Sequence, residues 1–383
     1  MLFREIPGNN AIKTQLISAT KNNRISHAQL FSGNSGSAKL ALAFAYSTYL
    51  HCTNKLDEDS CGRCPSCIKH KTLSHPDLHL VFPVLKIGGA KEAVSDNFIA
   101  SWRDFILKNM YASLNGWIDM FGTQNKMGAK GAIYKDETVV IHKKLALKSF
   151  EARYRVVLIW MPEQMTKEVS NKLLKLFEEP PVGTIFLLVS EKPNALLPTI
   201  TSRMQKIQVS GFKDQDIIRF FKNEKVTEER IKQLIRLTDA DLGEMIQLLE
   251  EGVQEIDMLD KFSSWMRTIY KMDVENISKW VDSMSSSGRK NQNVFLSYTI
   301  KMMRECLIFN FANKDLLKIN QKEAGFISKF APFIHEENSI IIIEELENAI
   351  KAINRNGNAK ILFFELSLKM VKLLKVKRKF AIK

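Results

Sequence analysis

Apolar positions along the chain follow two periods, and the point where one gives way to the other divides it. Up to about residue 210, short uninterrupted apolar runs alternate with stretches of helical periodicity; beyond it only the helical period remains. The runs at 26–31, 78–84, 155–160, 184–190 and 205–209 are bounded by turn signals, and several are rich in β-branched residues, which predicts buried strands. Helices are predicted within 1–26, with Ile12, Leu16, Ile17 and Ala19 on one face, and over 41–49, 139–150 and 166–179. The last carries Val169, Leu173, Leu174 and Phe177 on one side and is stopped by Pro180 and Pro181. Strands alternating with helices predict a parallel sheet.

Between the second strand and the helix at 139–150 the pattern changes. Residues from about 86 to 134 have little β character and contain two amphipathic stretches, 95–109 with Phe98, Trp102, Phe105 and Ile106, and 113–121 with Leu114, Trp117 and Ile118. They read as an insertion into the sheet domain, its aromatics packing on one another rather than forming a base-stacking platform. Past Gly211, helices at 214–222, 227–237 and 242–249 make a three-helix unit, and 253–383 makes a second helical block interrupted by a polar turn at 354–358. The expected division is therefore 1–210, 211–252 and 253–383.

Composition narrows the class. In 383 residues, a 45% hydrophobic content is ample for the cores of two or three domains. No apolar run approaches the roughly 20 residues that span a bilayer, so a cytoplasmic protein without membrane contact is expected. The formal net charge of +14 permits attraction to nucleic acid or to an acidic partner. Much of the excess lies at the end of the chain, in Lys369, Lys372, Lys375, Lys377, Arg378, Lys379 and Lys383, and fits a solvated helix face with a frayed tail as well as it fits phosphate contact.

Two stretches carry candidate chemistry. Gly33-Asn34-Ser35-Gly36-Ser37-Ala38-Lys39-Leu40 follows the first strand and opens an alanine-rich helix, the context of a phosphate-binding loop. A working loop reads G-x-x-x-x-G-K-[ST]: backbone N–H groups wrap the phosphates, lysine neutralises them and the hydroxyl ligates Mg²⁺. Gly33, Gly36 and Lys39 are candidates to meet phosphate, but Ala38 stands for the second glycine and Leu40 for the hydroxyl. A tight turn with a solvated lysine is the plainer reading of the same residues. Cys52, Cys61, Cys64 and Cys67, spaced C-x8-C-x2-C-x2-C, are four of the five cysteines. Such thiolates converge on one tetrahedral Zn²⁺ with no open position, a structural site. Two disulfides are the competing reading, disfavoured in a reducing compartment. His75 and His79 are spare ligands for which four thiolates leave no vacancy.

The third strand, 155–160, adds a second departure. In a phosphate-loop ATPase it ends in acids that hold Mg²⁺ and orient water. Here the places hold Trp160 and Met161, and Glu163 is the nearest acid.

Taken together, His27-Ala28-x-Leu30-Phe31-x-Gly33, the four cysteines, the run Asn171-Lys172-Leu173-Leu174-Lys175-Leu176-Phe177-Glu178-Glu179-Pro180-Pro181, and Leu196-Leu197-Pro198-Thr199-Ile200-x-Ser202-Arg203 closely resemble the bacterial clamp-loader AAA+ subunits. The altered loop and missing acids are similar to the delta prime branch of DNA polymerase III. The resemblance covers about 1–85 and 139–250, is diffuse beyond 253, and has no counterpart for about 86–134. It implies an α/β P-loop (AAA+) domain with a parallel sheet and a zinc module at 52–67, then an all-α lid and an all-α collar domain. It further implies a heteropentamer with gamma/tau motor subunits and a delta subunit, which places the sliding clamp on primed DNA. The family's Ser-Arg-Cys motif supplies an arginine finger in trans; here it stands as Ser202-Arg203-Met204, so the finger role passes to Arg203 with Ser202 beside it. The lid's phosphate-sensing arginine has Gly243 in its place. The implied subunit does not hydrolyse ATP, although nucleotide binding at the loop is left open. Two other readings stay in play: an active clamp-loader motor, for which Lys39 argues, and a zinc-bearing DNA-binding module, for which the charge argues.

Overall fold

The computed structural model describes residues 1–86, 93–121, 131–222, 224, 226–250, 258–311, 317, 319, 321–354 and 357–376. The chain divides into two compact units, Met1–Gly252 and Val253–Lys383. In chain order the first unit contains α1 (Asn10–Lys21), β1 (Ala28–Ser32), α2 (Lys39–His51), α3 (Pro65–Lys71), β2 (Leu78–Val81), α4 (Ile99–Lys108), α5 (Leu114–Asp119) and α6 (Asp136–Ala146). It continues with β3 (Arg155–Trp160), α7 (Lys167–Glu178), β4 (Thr184–Ser190), α8 (Pro198–Thr201), β5 (Gln205–Gln208), and a three-helix group, α9 (Asp214–Phe220), α10 (Glu228–Leu237) and α11 (Leu242–Glu250).

The five strands form one parallel sheet in the order β2-β3-β4-β1-β5. Every residue of β1, β3 and β4 is buried, as a sheet covered on both faces requires. β5 closes an edge with Gln205, Lys206 and Gln208 exposed, a polar border that discourages further strand pairing. On one face Ala28, Leu30, Val157, Ile159, Phe186 and Leu188 pack against Val169, Leu173 and Phe177 of α7. The Thr166 side chain caps α7 by accepting from the Val169 N–H, and the helix ends just before Pro180.

Three boundaries differ from expectation. The helix expected at 139–150 is α6, three residues earlier at its start; Asp136 and Glu137 suit the positive end of the helix dipole, a polar signal that apolar spacing does not register. It ends at Ala146, and Phe150 lies 80% exposed. The second strand stops at Val81, and Val84 instead makes an antiparallel bridge to Ala132. The stretch 95–109 opens as a 3₁₀ turn, Ser95–Phe98, before α4.

The aromatics of the insertion pack on one another, Phe105 and Phe121 against Trp117, but Trp102 also packs on Phe44, Phe82 and Trp160 of the sheet domain. Trp102 and Trp117 are fully buried; Phe82 stacks on Trp102 at 4.5 Å and meets Trp117 edge-on at 5.7 Å. The Trp117 indole donates to the Pro83 carbonyl at 2.8 Å, so its polar atom is satisfied. Parts of the insertion, the junction near 252/253 and the end of the basic tail (Lys377, Arg378, Lys379 and Lys383) lie outside the described residues.

The second unit is helical among the described residues: α12 (Met258–Lys271), α13 (Val274–Ser286), α14 (Arg289–Phe311), α15 (Gln321–Phe330), α16 (Glu336–Asn354) and α17 (Ala359–Leu373). Trp265 and Trp280 stack at 4.9 Å in its core, and the Trp265 indole donates to the Ser367 hydroxyl at 2.9 Å. Among the described residues no helix is long and apolar enough to cross a membrane.

Candidate functional site

In parallel sheets ligands meet the carboxyl ends of the strands, and here β1, β3 and β4 deliver the residues singled out above. Gly33 leaves β1 so close to its neighbours that an added Cβ would lie 2.5 Å from the Val209 carbonyl oxygen. Gly36 has φ +65°, and its absent Cβ would lie 2.0 Å from Oδ1 of Asp241, so an acid from the start of α11 presses on the loop. Lys39 is 3% exposed. Its Nζ donates to the Asn34 carbonyl at 2.7 Å and lies 3.1 Å from Oε1 of Glu191, which follows β4. The loop's cation is thus engaged inside the chain, and two carboxylates border the space a phosphate would need.

The end of β3 is equally closed. Trp160 is 1% exposed and meets Trp102 of the insertion edge-on at 5.9 Å; Trp102 also contacts Phe44 of α2. Met161 turns the chain with φ 54°, and the carboxylate of Glu163 accepts from the backbone N–H groups of Glu191 and Lys192 at 2.8 and 3.1 Å. The nearest acid therefore holds the turn after β4.

At Gly243 the insertion meets α11. The Asn109 side-chain amide donates to the Gly243 carbonyl at 2.8 Å, and the Tyr111 ring sits edge-on to Phe212 and Phe220 at 5.6 and 6.1 Å. A Cβ at Gly243 would lie 2.1 Å from the Tyr111 carbonyl oxygen, a clash with backbone that no rotamer relieves. Gly243→Ala is expected to cost about 1–3 kcal/mol, the usual range for overpacking, and to lower the melting temperature of the first unit by several degrees. A thermal melt superimposable on wild type would refute the close contact.

The four cysteines come together between the end of α2 and α3. Cys52 and Cys61 sulfurs are 3.7 Å apart, Cys61 and Cys67 3.9 Å, Cys52 and Cys64 4.0 Å. These are not bonding distances for a disulfide, about 2.05 Å. They match the edges, about 3.8 Å, of a tetrahedron of sulfurs 2.3 Å from one Zn²⁺. Backbone N–H groups of Cys61, Cys64 and Cys67 donate to the sulfurs of Cys52, Cys61 and Cys64 at 3.3–3.4 Å. Burial pushes the Cys67 thiol up, and the Cys64 thiol adds to this; Cys64, against its own burial, is drawn down to about 6 by the N–H of Cys67 and the hydroxyl and N–H of Thr53. Such a set becomes four thiolates only with a cation among them. The donors fit a structural metal ion.

Of the two spare histidines, His79 lies on β2 apart from this group, whereas His75 joins His51 and His70, which sequence reasoning did not single out. Burial holds His51 down to about 3, with His75 adding to the effect. The signal was available: His51 directly precedes Cys52, and His70 follows Cys67 by one helical turn. Glu191 and Asp241 were also missed, because contacts between segments so far apart leave no trace in local spacing.

Arg203 stands at the opposite kind of place. Ser202 and Arg203 are exposed after α8, while Met204 and Ile200 belong to the core under the sheet. The Arg203 guanidinium pairs with the Glu178 carboxylate through Nε and Nη2, and Nη1 donates to the Thr199 carbonyl at 2.7 Å. The Ser202 hydroxyl donates to the same carbonyl at 3.2 Å.

A profile of the family described as "DNA polymerase III, delta subunit" matches residues 8–213, more than half of the chain. DNA polymerase III subunit delta' of Bacillus subtilis (strain 168) is 24% identical over 233 residues, 61% of this chain and 56% of that protein. The delta' subunit of Yersinia pestis is 28% identical over 199 residues, 51% of this chain and 45% of that protein. DNA polymerase III subunit tau/gamma of Haemophilus influenzae is 25% identical over 263 residues, 68% of this chain and 31% of that protein. The chain thus spans about half the length of the delta' relatives it matches and about a third of the tau/gamma relative. A solved gamma subunit-related protein of Thermotoga maritima aligns over 93% of this chain and 99% of its own, at 14% identity and a TM-score of 0.40. On the family match, this chain belongs to the DNA polymerase III delta subunit family.

Proposed function

We propose that this chain is the delta prime subunit of a DNA polymerase III clamp loader, working in the cytoplasm. It does not hydrolyse ATP; it presents Arg203 to the ATP site of an adjacent gamma/tau motor while the heteropentamer, which includes delta, sets the sliding clamp on primed DNA. Residues 1–210 are its AAA+ domain, 211–252 its lid and 253–383 its collar. Zn²⁺ on Cys52, Cys61, Cys64 and Cys67 is a structural staple, which supplies folding energy and no chemistry.

The observation that carries the reading is the state of Lys39. A phosphate-binding lysine must be free to meet phosphate, and this one is buried against Glu191 and the Asn34 carbonyl with Asp241 pressed on Gly36. Magnesium has no ligand at Leu40 or Trp160, and the sensing position at Gly243 is filled by Tyr111. The insertion therefore takes over much of the packing that nucleotide provides in a working site: Trp102 under Trp160 and Phe44, Asn109 and Tyr111 against α11. A subunit built this way is a rigid neighbour to moving ones.

The test is ATP turnover by the isolated chain with Mg²⁺. Turnover is expected to stay at background and to be unchanged by Lys39→Ala. Hydrolysis above background that Lys39→Ala abolishes would overturn the proposal in favour of an active motor, and salt-sensitive DNA binding by the chain alone would favour the DNA-binding module.

A further inference from the structure

Beside the four cysteines the fold gathers three imidazoles from three separate segments. His51 ends α2, His70 lies in the last turn of α3, and His75 stands in the turn before β2. They are 4%, 1% and 2% exposed. One ring nitrogen from each lies within 4.8 Å of the others, and the ring centroids are 4.3–5.0 Å apart with the rings tilted by 31–52°. We infer that His51, His70 and His75, with Glu151 completing the set, form a second metal site that takes one divalent ion of the zinc class on nitrogen and oxygen ligands.

The distances suit such an ion. His51 Nδ1 and His70 Nε2 are 2.9 Å apart, and His75 Nε2 is 3.1 Å from Glu151 Oε1. A tetrahedron of ligands about 2.0–2.1 Å from Zn²⁺ has edges of about 3.3 Å, so these two pairs need only a few tenths of an ångström of adjustment. One of the proposed ligand atoms is unsatisfied otherwise. His75 Nε2 faces Glu151 without hydrogen-bond alignment, and no other partner among the described residues reaches it. A buried nitrogen left this way among three imidazoles and a carboxylate calls for an occupant rather than for packing alone.

The surroundings hold the proposed ligands in place. The Asp77 carboxylate accepts from the N–H groups of Phe150, Glu151 and Ala152 at 2.6, 2.9 and 2.8 Å, which fixes the backbone that carries Glu151. The Asp77 N–H donates to His75 Nδ1 at 3.1 Å, which turns Nε2 toward Glu151. Lys69 Nζ takes the other oxygen, Oε2, at 2.5 Å and leaves Oε1 for the site. One aspartate thus orients both the imidazole and the carboxylate, the outer support that metal ligands need. With Nδ1 accepting from Asp77, the proton of the neutral His75 ring sits on Nε2, and an ion entering there takes the place of that proton.

The untagged full-length chain tests this without any substitution. Stripped of metal and titrated with Co²⁺ under reducing conditions, it is expected to bind two equivalents. One gives the strong near-ultraviolet thiolate bands; the other gives only the weaker visible bands of nitrogen and oxygen ligation. X-ray absorption on the zinc-loaded chain is expected to show an average of about two sulfurs and two nitrogens or oxygens per ion. His70→Gln should remove the second equivalent and leave the thiolate bands intact, while His142→Gln, outside the cluster, should leave both. Saturation at one equivalent with four sulfurs per ion overturns the inference, as does a second equivalent that survives His70→Gln and so belongs to the surface.

Discussion

Arg203→Ala is expected to slow the DNA- and clamp-stimulated ATPase of the reconstituted loader by about 10³-fold, at the low end of what an arginine finger contributes. The expectation follows from where the side chain stands. Its base is anchored, since Ile200 and Met204 on either side are buried in the core under the sheet, while the guanidinium is surface-exposed. Glu178 and the Thr199 carbonyl occupy Nε, one Nη2 hydrogen and one Nη1 hydrogen, which leaves one N–H on each terminal nitrogen for a partner. A phosphoryl group acquiring charge in a neighbour's site is a partner of that geometry. Because the contact strengthens as charge develops, kcat and kcat/KM should fall together with little change in KM. Lysine at this position restores the charge but not the planar fork, so Arg203→Lys should recover only part of the rate. Ser202→Ala, which removes one bond to the Thr199 carbonyl, should cost no more than about tenfold. The comparison requires equal assembly of both loaders, checked by gel filtration. An unchanged rate for Arg203→Ala would leave the chain a scaffold and remove the finger from the proposal.

Two strands were legible to the residue. β3 and β4 coincide with the runs read from sequence, because an unbroken apolar stretch between turn signals has few other places to go than the middle of a covered parallel sheet. The start of α6 was not legible, since a helix that begins with Asp136 and Glu137 announces itself by charge and not by apolar spacing. The cysteines were legible as a group because their spacing is local, and the structure brings all four together. What filled the altered nucleotide loop was not. Leu40 and Trp160 reveal what has been lost, but Glu191 against Lys39, Asp241 against Gly36 and Tyr111 against Gly243 are contacts across more than a hundred residues. Only the fold brings them together, and only there does the insertion cease to look like an appendage: it touches two of the altered positions, Trp160 and Gly243.

Cys61→Ser is expected to release the metal ion of the thiolate cluster and to destabilise the first unit by several kcal/mol, a sizeable share of the stability of an ordinary domain. Residues 53–58 are all exposed, and α3 has seven residues, too few to persist as a helix without tertiary support. The damage should spread beyond the module. Asp59, inside the loop the metal closes, accepts from the N–H groups of Phe3 and Arg4 at 3.0 Å each and so pins the start of the chain, where Phe3 is 2% exposed beside Tyr49. Freed of that anchor, Phe3 exposes an apolar ring worth roughly 1.5–3 kcal/mol of burial. Hydrogen exchange should therefore accelerate at residues 2–6 and 59–72 together, while α12 to α17 in the second unit keep their protection. Serine leaves the side chain almost isosteric, so the effect isolates the ligand rather than the packing. Metal analysis that finds the thiolate-bound ion retained, with exchange at residues 2–6 unchanged, would show that the cluster is held by its own hydrogen bonds and burial and that no ion is needed to fold it.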